Sequence, residues 1–335
     1  MNTMNWNPGT LLEMSGYYWR TCTLHTGVKL NIFTAIGSDC LSCDTINKKI
    51  KADKRGLTRL LNALAAMGLL IKTDETYSNS PAALTFLSKD SPQYIGFIIM
   101  HHHHLMESWQ NMGKAVMEGG PIRERASFSD DEWRESFLMG MFNMGMAVAP
   151  KLSKELDLSG CKKLLDFGGG PGTFAIHFCL ANPGLSASVY DLETTRSFAE
   201  KTIKKFKVTD QVDFISGDFI EEEFTYPREY DAAFLSHILH GEGSKDANDV
   251  IRKAVTALKP GSNVFIHEFI LNNDMAGPAF PALFSINMYL GTEEGQSYSE
   301  AQLSDMLKAN GVIDIQRLPF EGPTQSGIIC GRTAG

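Results

Sequence analysis

The chain has 335 residues, of which 43% are hydrophobic and 21% charged, and its formal net charge is −8. This composition is typical of a globular protein of about two domains, and it argues against a disordered or disulfide-stapled chain. The acidic balance disfavours nucleic-acid partners. Because no apolar run has membrane-spanning length and no signal-peptide pattern occurs, we expect a cytoplasmic protein without a membrane partner.

The N-terminal part of the chain, residues 1–95, has a mainly helical pattern. Pro8 suits the first turn of a helix, and apolar residues at three- and four-residue spacing over 57–67 predict a helix that ends at Gly68. Two short strands with a polar turn follow over 69–79. This order outlines a winged helix, which either packs against a second chain or binds DNA as a regulator. Its basic residues are typical of a solvated helix face, which favours packing.

Residues 96–158 are predicted to be helical and are rich in methionine and aromatic residues, which often line adaptable pockets. We expect this segment to contribute to a substrate pocket together with the 277–297 segment. Four consecutive histidines, His101–His104, lie within it. At most two of them could share one ion on a helix, so we predict no metal site and leave their role open. The candidate pocket walls are Trp109, Met141, Met144, Phe284, Met288 and Tyr289.

From Lys162 onward, apolar strand patterns alternate with helical ones. This alternation predicts a doubly wound α/β domain with a mostly parallel sheet, here assigned to residues 159–335. In such sheets, ligands bind outside the carboxyl ends of the strands. The domain and the helical segment before it would form one catalytic region, 96–335.

A glycine-rich loop after the first strand of this domain predicts a nucleoside cofactor. Gly168, Gly170 and Gly172 allow a sharp turn and a close backbone approach, but their spacing differs from the dinucleotide fingerprint. Asp191 ends the next strand, where an acid can bind both ribose hydroxyls. Asp218 and Phe219 follow the third strand, where they could take the adenine amine and cover its ring. This third point favours S-adenosylmethionine over NAD.

Five short motifs in order then carry a family resemblance: DFGGGPGTFA, YDL, GDF, ILH and LKPG. Together they resemble the class I S-adenosylmethionine-dependent O-methyltransferases. More narrowly, the chain is similar to the caffeate and acetylserotonin O-methyltransferase subgroup, which has an N-terminal winged-helix dimerisation domain. The resemblance covers nearly the whole chain. It implies a homodimer, S-adenosyl-L-methionine as cofactor, and methyl transfer to a hydroxyl of a small hydrophobic or aromatic substrate.

The resemblance also assigns roles to individual residues. His240 matches the general base of the family, and Glu268 matches the acid that orients it. The remaining positions would bind the cofactor: Gly168 and Gly170 its methionine portion, Asp191 the ribose, Leu192 and Phe219 the adenine faces, Asp218 the adenine amine, and Ser236 the region of the carboxylate.

Two departures from the family pattern keep the acceptor atom open. Gly241, Glu242 and Gly243 follow His240 where the family has Asp-Trp, and residues 295–299 lack the second carboxylate of the family. Glu293 and Glu294 are the candidates to replace it. A thiol or thioether needs less help from a base than a phenol does. The alternatives are therefore an S-methyltransferase and a winged-helix regulator that senses a ligand through its α/β domain.

Overall fold

The computed structural model of the protein describes residues 6–125, 131–226 and 228–335. The chain divides into two compact units, of which the first ends at Leu105 and the second begins at Met106. The predicted division at residue 95 stays a prediction. No helix in these described ranges is both long and apolar enough to cross a membrane.

The first unit is mainly helical, as predicted. Its helices begin with polar caps or proline: Asn7 caps α1 and accepts a hydrogen bond from the backbone of Thr10, and Asp53 caps α4 in the same way toward Gly56. A three-stranded antiparallel sheet in the order β1-β3-β2 completes the unit. The elements are α1 (Pro8–Lys29), α2 (Ile32–Ile36), β1 (Leu41–Ser42), α3 (Cys43–Ile50), α4 (Lys54–Ala66), β2 (Leu70–Thr73), β3 (Thr76–Asn79) and α5 (Pro81–Phe86).

The predicted helix over 57–67 and the hairpin after it are present. Leu57, Leu61 and Leu64 on α4 are buried in the core of the unit. Gly68 follows the helix with φ of 75° and donates its N–H to the carbonyl of Ala65, which is the conformation that favours glycine there. The order α3, α4, β2, β3 is that of the predicted winged helix.

The predicted helical segment before the α/β domain is also confirmed in the described residues. It consists of α6 (Gly96–Gln110), α7 (Met112–Glu118), α8 (Asp131–Met146) and α9 (Ala149–Glu155). The end of α8 packs against the helix that begins at Thr173, since a Cβ at Gly145 would lie 3.0 Å from Cγ2 of Thr173.

A seven-stranded sheet with helices forms the rest of the second unit and confirms the predicted fold class. The strand order is β6-β5-β4-β7-β8-β10-β9, with β6 to β8 parallel and β10 antiparallel to both its neighbours. The elements are β4 (Lys163–Phe167), α10 (Thr173–Ala181), β5 (Ser186–Asp191), α11 (Arg196–Phe206), β6 (Val212–Ser216), β7 (Tyr230–Ser236), α12 (Ser244–Thr256), β8 (Leu258–Glu268), α13 (Ala279–Gly291), α14 (Glu300–Ala309), β9 (Val312–Arg317) and β10 (Gly327–Thr333).

The sheet separates two hydrophobic cores, one on each face. Leu164 and Phe234 contribute to one core, and Leu165 and Leu235 contribute to the other, because successive side chains of a strand point to opposite faces. Burial on both faces explains the continuous apolar runs in the central strands. Because the five strands from β4 to β8 are parallel, their carboxyl ends meet at one edge of the sheet. The predicted site residues lie at this edge.

Candidate active site

The loop between β4 and α10 has the backbone that its glycines predict. Gly168, Gly170 and Gly172 have φ values of 71°, 55° and 76°, a left-handed region that favours glycine. A Cβ at Gly168 would lie 2.6 Å from Cγ2 of Ile238, so that position also needs glycine for space. At Gly170 a Cβ would meet nothing within 4 Å. The loop is therefore open at Gly170, where a ligand can approach the backbone.

Asp191, at the end of β5, holds this loop in position. Its Oδ2 accepts the N–H of Gly170 at 2.8 Å, and its Oδ1 accepts the N–H of Leu192 at 2.8 Å and the hydroxyl of Thr195 at 3.0 Å. Burial raises the pKa of Asp191, and these three hydrogen bonds oppose that rise. Since a carboxylate oxygen can accept two hydrogen bonds, Oδ2 retains one acceptor position for a hydroxyl.

Asp166, the last acid before the loop, is a buried group that sequence reasoning did not single out as a site. Its Oδ2 accepts the N–H of Ala175 at 3.1 Å, and its Oδ1 has no hydrogen-bond partner among the described residues. Burial raises the pKa of Asp166 to about 7. A large part of this carboxyl group is therefore protonated at neutral pH.

The three residues predicted to surround adenine lie at adjacent strand ends. Leu192 follows β5, and Asp218 and Phe219 follow β6. Oδ1 of Asp218 accepts the N–H of Ile220 at 2.8 Å, which leaves Oδ2 for another donor. The ring of Phe219 lies 5.9 Å from that of Phe167. The structure brings these residues together, and their roles toward adenine stay predictions.

His240 and Glu268, 28 residues apart, form a hydrogen-bonded pair at the ends of neighbouring strands. Nδ1 of His240 lies 2.8 Å from Oε2 of Glu268, and Oε1 accepts the N–H of Leu239 at 2.9 Å. Glu268 is 2% exposed. Burial alone would raise its pKa, but His240 and His237 outweigh burial and hold the pKa of Glu268 well below its usual range. The carboxylate thus stays ionised and fixes the ring, and no described residue hydrogen-bonds to Nε2.

Two more histidines lie beside this pair: Nδ1 of His237 is 3.6 Å from Oε2 of Glu268, and His267 has other partners. Nδ1 of His267 lies 3.0 Å from the hydroxyl of Ser236, and its Nε2 lies 3.0 Å from the hydroxyl of Ser326. Burial holds the pKa of His267 well below the ordinary value, so the ring is neutral. The described hydrogen bond of Ser236 is thus to His267, and its predicted place near the cofactor carboxylate stays a prediction. The ring of His237 packs 4.2 Å from that of Phe269.

One group of described residues has the geometry of a potential metal site. His237, His240 and Glu268 place one ligand atom each within 4.8 Å of one another. Nδ1 of His240 is already paired with Glu268 in this arrangement. The prediction that no metal takes part stays a prediction.

Of the four consecutive histidines, His103 contacts α1 within the first unit. Nε2 of His103 lies 3.2 Å from Nζ of Lys29 on α1, and the ring of His25 meets that of His103 edge-on at 5.6 Å. Burial, together with the nearby His103 and His102, lowers the pKa of His25 to about 4. Lys29 and His103 therefore form part of the packing of α1 in this unit.

Only some of the residues predicted to line the substrate pocket lie beside the base. Phe284 packs edge-on against the ring of His240 at 4.7 Å, and Phe269 extends this aromatic surface at 4.6 Å from Phe284. The hydroxyl of Tyr289 instead donates to the carbonyl of Ala115 at 2.7 Å.

The other predicted walls lie on three helices. Nε1 of Trp109, on α6, donates to Oδ1 of Asn287 at 3.2 Å. Met141 and Met144 are half-buried on α8, and Met288 is half-buried on α13. No described contact brings these three methionines to His240, and their contact with substrate stays a prediction.

Sequence reasoning missed an ion pair that braces the segment after His240. Arg125 donates to Oε1 of Glu242 at 2.6 Å and to the carbonyl of Gly241 at 2.7 Å. The hydroxyl of Tyr298 donates to the carbonyl of Glu242 at 2.6 Å. Glu242 lies where the family pattern has tryptophan, and no sequence signal links it to a residue 117 positions earlier. Glu293 and Glu294 are exposed, and no described hydrogen bond or ion pair joins either of them to His240.

Comparison with known proteins decides the family. The family model described as the O-methyltransferase domain matches residues 110–312, and that of the O-methyltransferase dimerisation domain matches residues 12–89. The chain belongs to the O-methyltransferase family. This confirms the predicted family and enzyme class, an O-methyltransferase, and the predicted cofactor, S-adenosyl-L-methionine. The alternatives of a ligand-sensing regulator, an S-methyltransferase and an NAD enzyme are set aside.

Curated relatives match this O-methyltransferase along nearly its whole length. It is 29% identical to 3-hydroxy-5-methyl-1-naphthoate 3-O-methyltransferase of Streptomyces sahachiroi, over 97% of this chain and 95% of the relative. It is 30% identical to the tetracenomycin polyketide synthesis 8-O-methyl transferase of Streptomyces glaucescens, over 94% of each. The solved structure of human N-acetylserotonin methyltransferase in complex with S-adenosylmethionine shares its fold, with a TM-score of 0.85, 21% identity and full coverage of both chains.

Proposed function

We propose that this O-methyltransferase methylates a hydroxyl group on a small aromatic molecule, with His240 as general base and Glu268 as its positioning partner. The observation that carries the proposal is the 2.8 Å contact between Nδ1 of His240 and the buried carboxylate of Glu268. This contact fixes the proton on Nδ1 and leaves Nε2 with a lone pair. A hydroxyl held at Nε2 would lose its proton to the imidazole.

Proton transfer from a phenol to this histidine is chemically reasonable. An ordinary imidazole has a pKa of about 6.5 and a phenol one of about 10. The ionised Glu268 stabilises the imidazolium that forms, and thereby offsets part of this difference. The bond to the hydroxyl oxygen forms as the proton leaves. General-base catalysis of this kind contributes about 10²–10⁴-fold to rate.

The strand ends fit S-adenosylmethionine. The open backbone at Gly170 and the remaining acceptor position on Asp191 suit a group with a flexible chain and a ribose. We assign the methionine portion to the glycine loop, the ribose to Asp191, and adenine to the surface of Leu192, Asp218 and Phe219. When bound, the cofactor supplies an electrophilic methyl group on its sulfonium. The protein's task is to align the acceptor and remove its proton.

An aromatic acceptor fits the aromatic surface beside the base. Phe284 and Phe269 adjoin the His240 ring, and rings pack well against such edge-on and tilted faces. Two of the relatives carry names of enzymes that methylate hydroxyl groups of a naphthoate and of a tetracenomycin polyketide. By analogy, we place this protein among enzymes for aromatic hydroxyls.

We also infer that the chain acts as a homodimer through its first unit. The family match there is to a dimerisation domain. In the chain by itself, α1 exposes a row of large apolar side chains, which are typical of an interface: Leu11, Leu12, Met14, Tyr17, Tyr18 and Trp19. A cytoplasmic location and the absence of nucleic-acid partners stay predictions.

The proposal is tested with His240→Ala in an assay of labelled methyl transfer to phenols, thiols and thioethers. We expect wild type to methylate phenols, and His240→Ala to lower kcat by about 10²–10⁴-fold. The dissociation constant of S-adenosylhomocysteine, measured by calorimetry, should stay within about threefold, because the base contacts the acceptor. A loss of less than about tenfold would exclude His240 as the base, and exclusive methylation of sulfur would exclude the phenol.

A further inference from the structure

Building on the proposed function, we propose that Arg123 anchors a carboxylate of the acceptor, so that the preferred substrate is a hydroxylated aromatic acid. Arg123 lies on the segment that connects α7 toward α8. The N–H groups of Ile122 and Arg123 both donate to the carbonyl of Leu290 at 3.0 and 3.2 Å. Two residues later, Arg125 binds the carbonyl of Gly241, next to His240. The segment therefore runs between the end of α13 and the base.

The guanidinium of Arg123 is held entirely by neutral acceptors. Its Nε donates to the hydroxyl of Ser108 at 3.1 Å, and its Nη2 donates to the backbone carbonyl and to Oδ1 of Asn287 at 2.8 and 2.9 Å. Oδ1 of Asn287 also accepts the indole N–H of Trp109. Nη1 has no acceptor among the described residues. A guanidinium carries five N–H donors, so two remain for a ligand.

The glycine at the end of α13 makes room for this arrangement. A Cβ at Gly291 would overlap Nη1 and the central carbon of the Arg123 guanidinium. The side chain can thus lie against the helix at this position only because residue 291 has no side chain. The free nitrogen of Arg123 is therefore held in a defined place.

Charge distinguishes Arg123 from its neighbour Arg125. Arg125 pairs with the carboxylate of Glu242 at 2.6 Å, whereas no described acid pairs with Arg123. Burial lowers the pKa of Arg123 to about 10, which still leaves it cationic at neutral pH. A partly buried guanidinium without a counter-charge is unfavourable, and a carboxylate on Nη1 would form a charge-assisted hydrogen bond.

The position of Arg123 relative to the base suits a substrate of one or two fused rings. Phe284, Asn287 and Gly291 share one face of α13, because they are spaced by three and four residues. Phe284 contacts His240, and the other two contact Arg123. Along the helix axis, Asn287 and Gly291 lie about 5 and 10 Å from Phe284, at about 1.5 Å per residue. A hydroxyl at His240 and a carboxylate at Arg123 can belong to one aromatic molecule.

The test compares hydroxynaphthoates of several substitution patterns with their methyl esters as acceptors. For the best isomer, we expect wild type to prefer the acid by about tenfold or more in kcat/KM, as a charge-assisted hydrogen bond allows. Arg123→Met should remove this preference by raising KM for the acid, and it should leave the ester within about threefold. Arg123→Lys should retain part of the preference, since it keeps the charge without the guanidinium fork.

Asn287→Asp provides a second variant that keeps the guanidinium and its acceptors. It supplies Arg123 with an internal carboxylate, and we expect it to lower the preference for the acid as well. The exposed Arg55→Met, in the first unit, is the matched surface control. The anchor is wrong if wild type shows no preference for the acid. It is also wrong if Arg123→Met lowers kcat/KM equally for the acid and the ester.

A binding measurement separates this inference from the proposed function. Calorimetric titration with 1-naphthoate and 1-naphthamide, in the presence of S-adenosylhomocysteine, needs no methyl transfer. We expect Arg123→Met to weaken naphthoate binding by about tenfold and to leave naphthamide unchanged. If wild type methylates no phenol but shows this loss, the proposed function fails and the anchor stands. Equal naphthoate binding by wild type and Arg123→Met would refute the anchor alone.

Discussion

The two ends of the catalytic edge of the sheet are built differently. At the proposed cofactor end, Gly168, Gly170 and Asp191 lie close together in sequence, at the ends of two adjacent strands. At the proposed acceptor end, Arg123, His240 and Phe284 come from separate segments. The first end follows from local backbone preferences, and the second depends on packing between distant parts of the chain.

This difference separates the two tasks of the enzyme. A loop fixed by its own glycines can bind a cofactor whatever the acceptor is. The acceptor end, which is braced by side chains such as Arg125 and Tyr298, can change without disturbing that loop. Substitutions at one end should therefore leave the measured property of the other end nearly unchanged.

The largest effect is expected for Glu268→Gln at the acceptor end. An amide N–H opposite Nδ1 of His240 would favour the tautomer that carries its proton on Nε2, which removes the lone pair needed by the base. We expect kcat to fall by about 10²-fold or more, as for the corresponding change in serine proteases. The affinity for S-adenosylhomocysteine, measured by calorimetry, should stay within about threefold. If kcat and the affinity for S-adenosylhomocysteine fell by a similar factor, the two ends would not be independent.

The next effect concerns Asp166, beneath the glycine loop. Because its pKa in the folded protein is about 7, against an ordinary 3.8, the folded state holds a proton that the unfolded state has lost. Stability from this group is present at low pH and is lost as pH rises toward 7. Between pH 5 and pH 7 the loss is about 2 kcal/mol.

Asp166→Asn is expected to remove this pH dependence, since the amide is neutral throughout. Thermal melts without cofactor should show a small difference between variant and wild type at pH 5, and a clear stabilisation by the variant at pH 8. If the melting temperature of wild type lies below that of the variant by the same amount at pH 5 and pH 8, the raised pKa of Asp166 is contradicted.

A smaller effect distinguishes two glycines of the loop. Alanine at Gly168 or at Gly170 has the strain of a left-handed backbone, about 1–2 kcal/mol. At Gly168 the added Cβ also meets Ile238 at 2.6 Å, which adds about 1–3 kcal/mol. We expect Gly168→Ala to lower the melting temperature by several degrees more than Gly170→Ala. Equal melting temperatures would show that the loop is not fixed by this contact.

The smallest effect is expected for Tyr289→Phe. The hydroxyl of Tyr289 accepts the N–H of Gly120 at 3.1 Å and donates to Ala115, so its loss should cost about 1 kcal/mol of stability. KM for the phenolic acceptor should not change by more than about twofold. A tenfold rise in KM, with an unchanged melting temperature, would instead place Tyr289 in contact with the substrate.

The sequence by itself determined the fold class and the cofactor, and it predicted the glycines and the acid of the proposed cofactor end. A left-handed backbone or a close backbone approach favours glycine, and alternating strands and helices allow few topologies, so these features follow from short segments. The family motifs also placed His240 and Glu268 at neighbouring strand ends, where the structure pairs them at 2.8 Å. The two antiparallel strands β9 and β10 at the sheet edge were not among the predicted elements.

Only the tertiary structure decided the ionisation of Asp166, the bracing of Glu242 by Arg125, and the position of Arg123 over Gly291. It also gave Tyr289 partners in the 115–120 segment and placed Phe284 beside the base. Each of these facts depends on burial or on a contact between residues far apart in sequence. Such contacts depend on how helices and loops pack, which neither a local motif nor hydrophobic periodicity specifies.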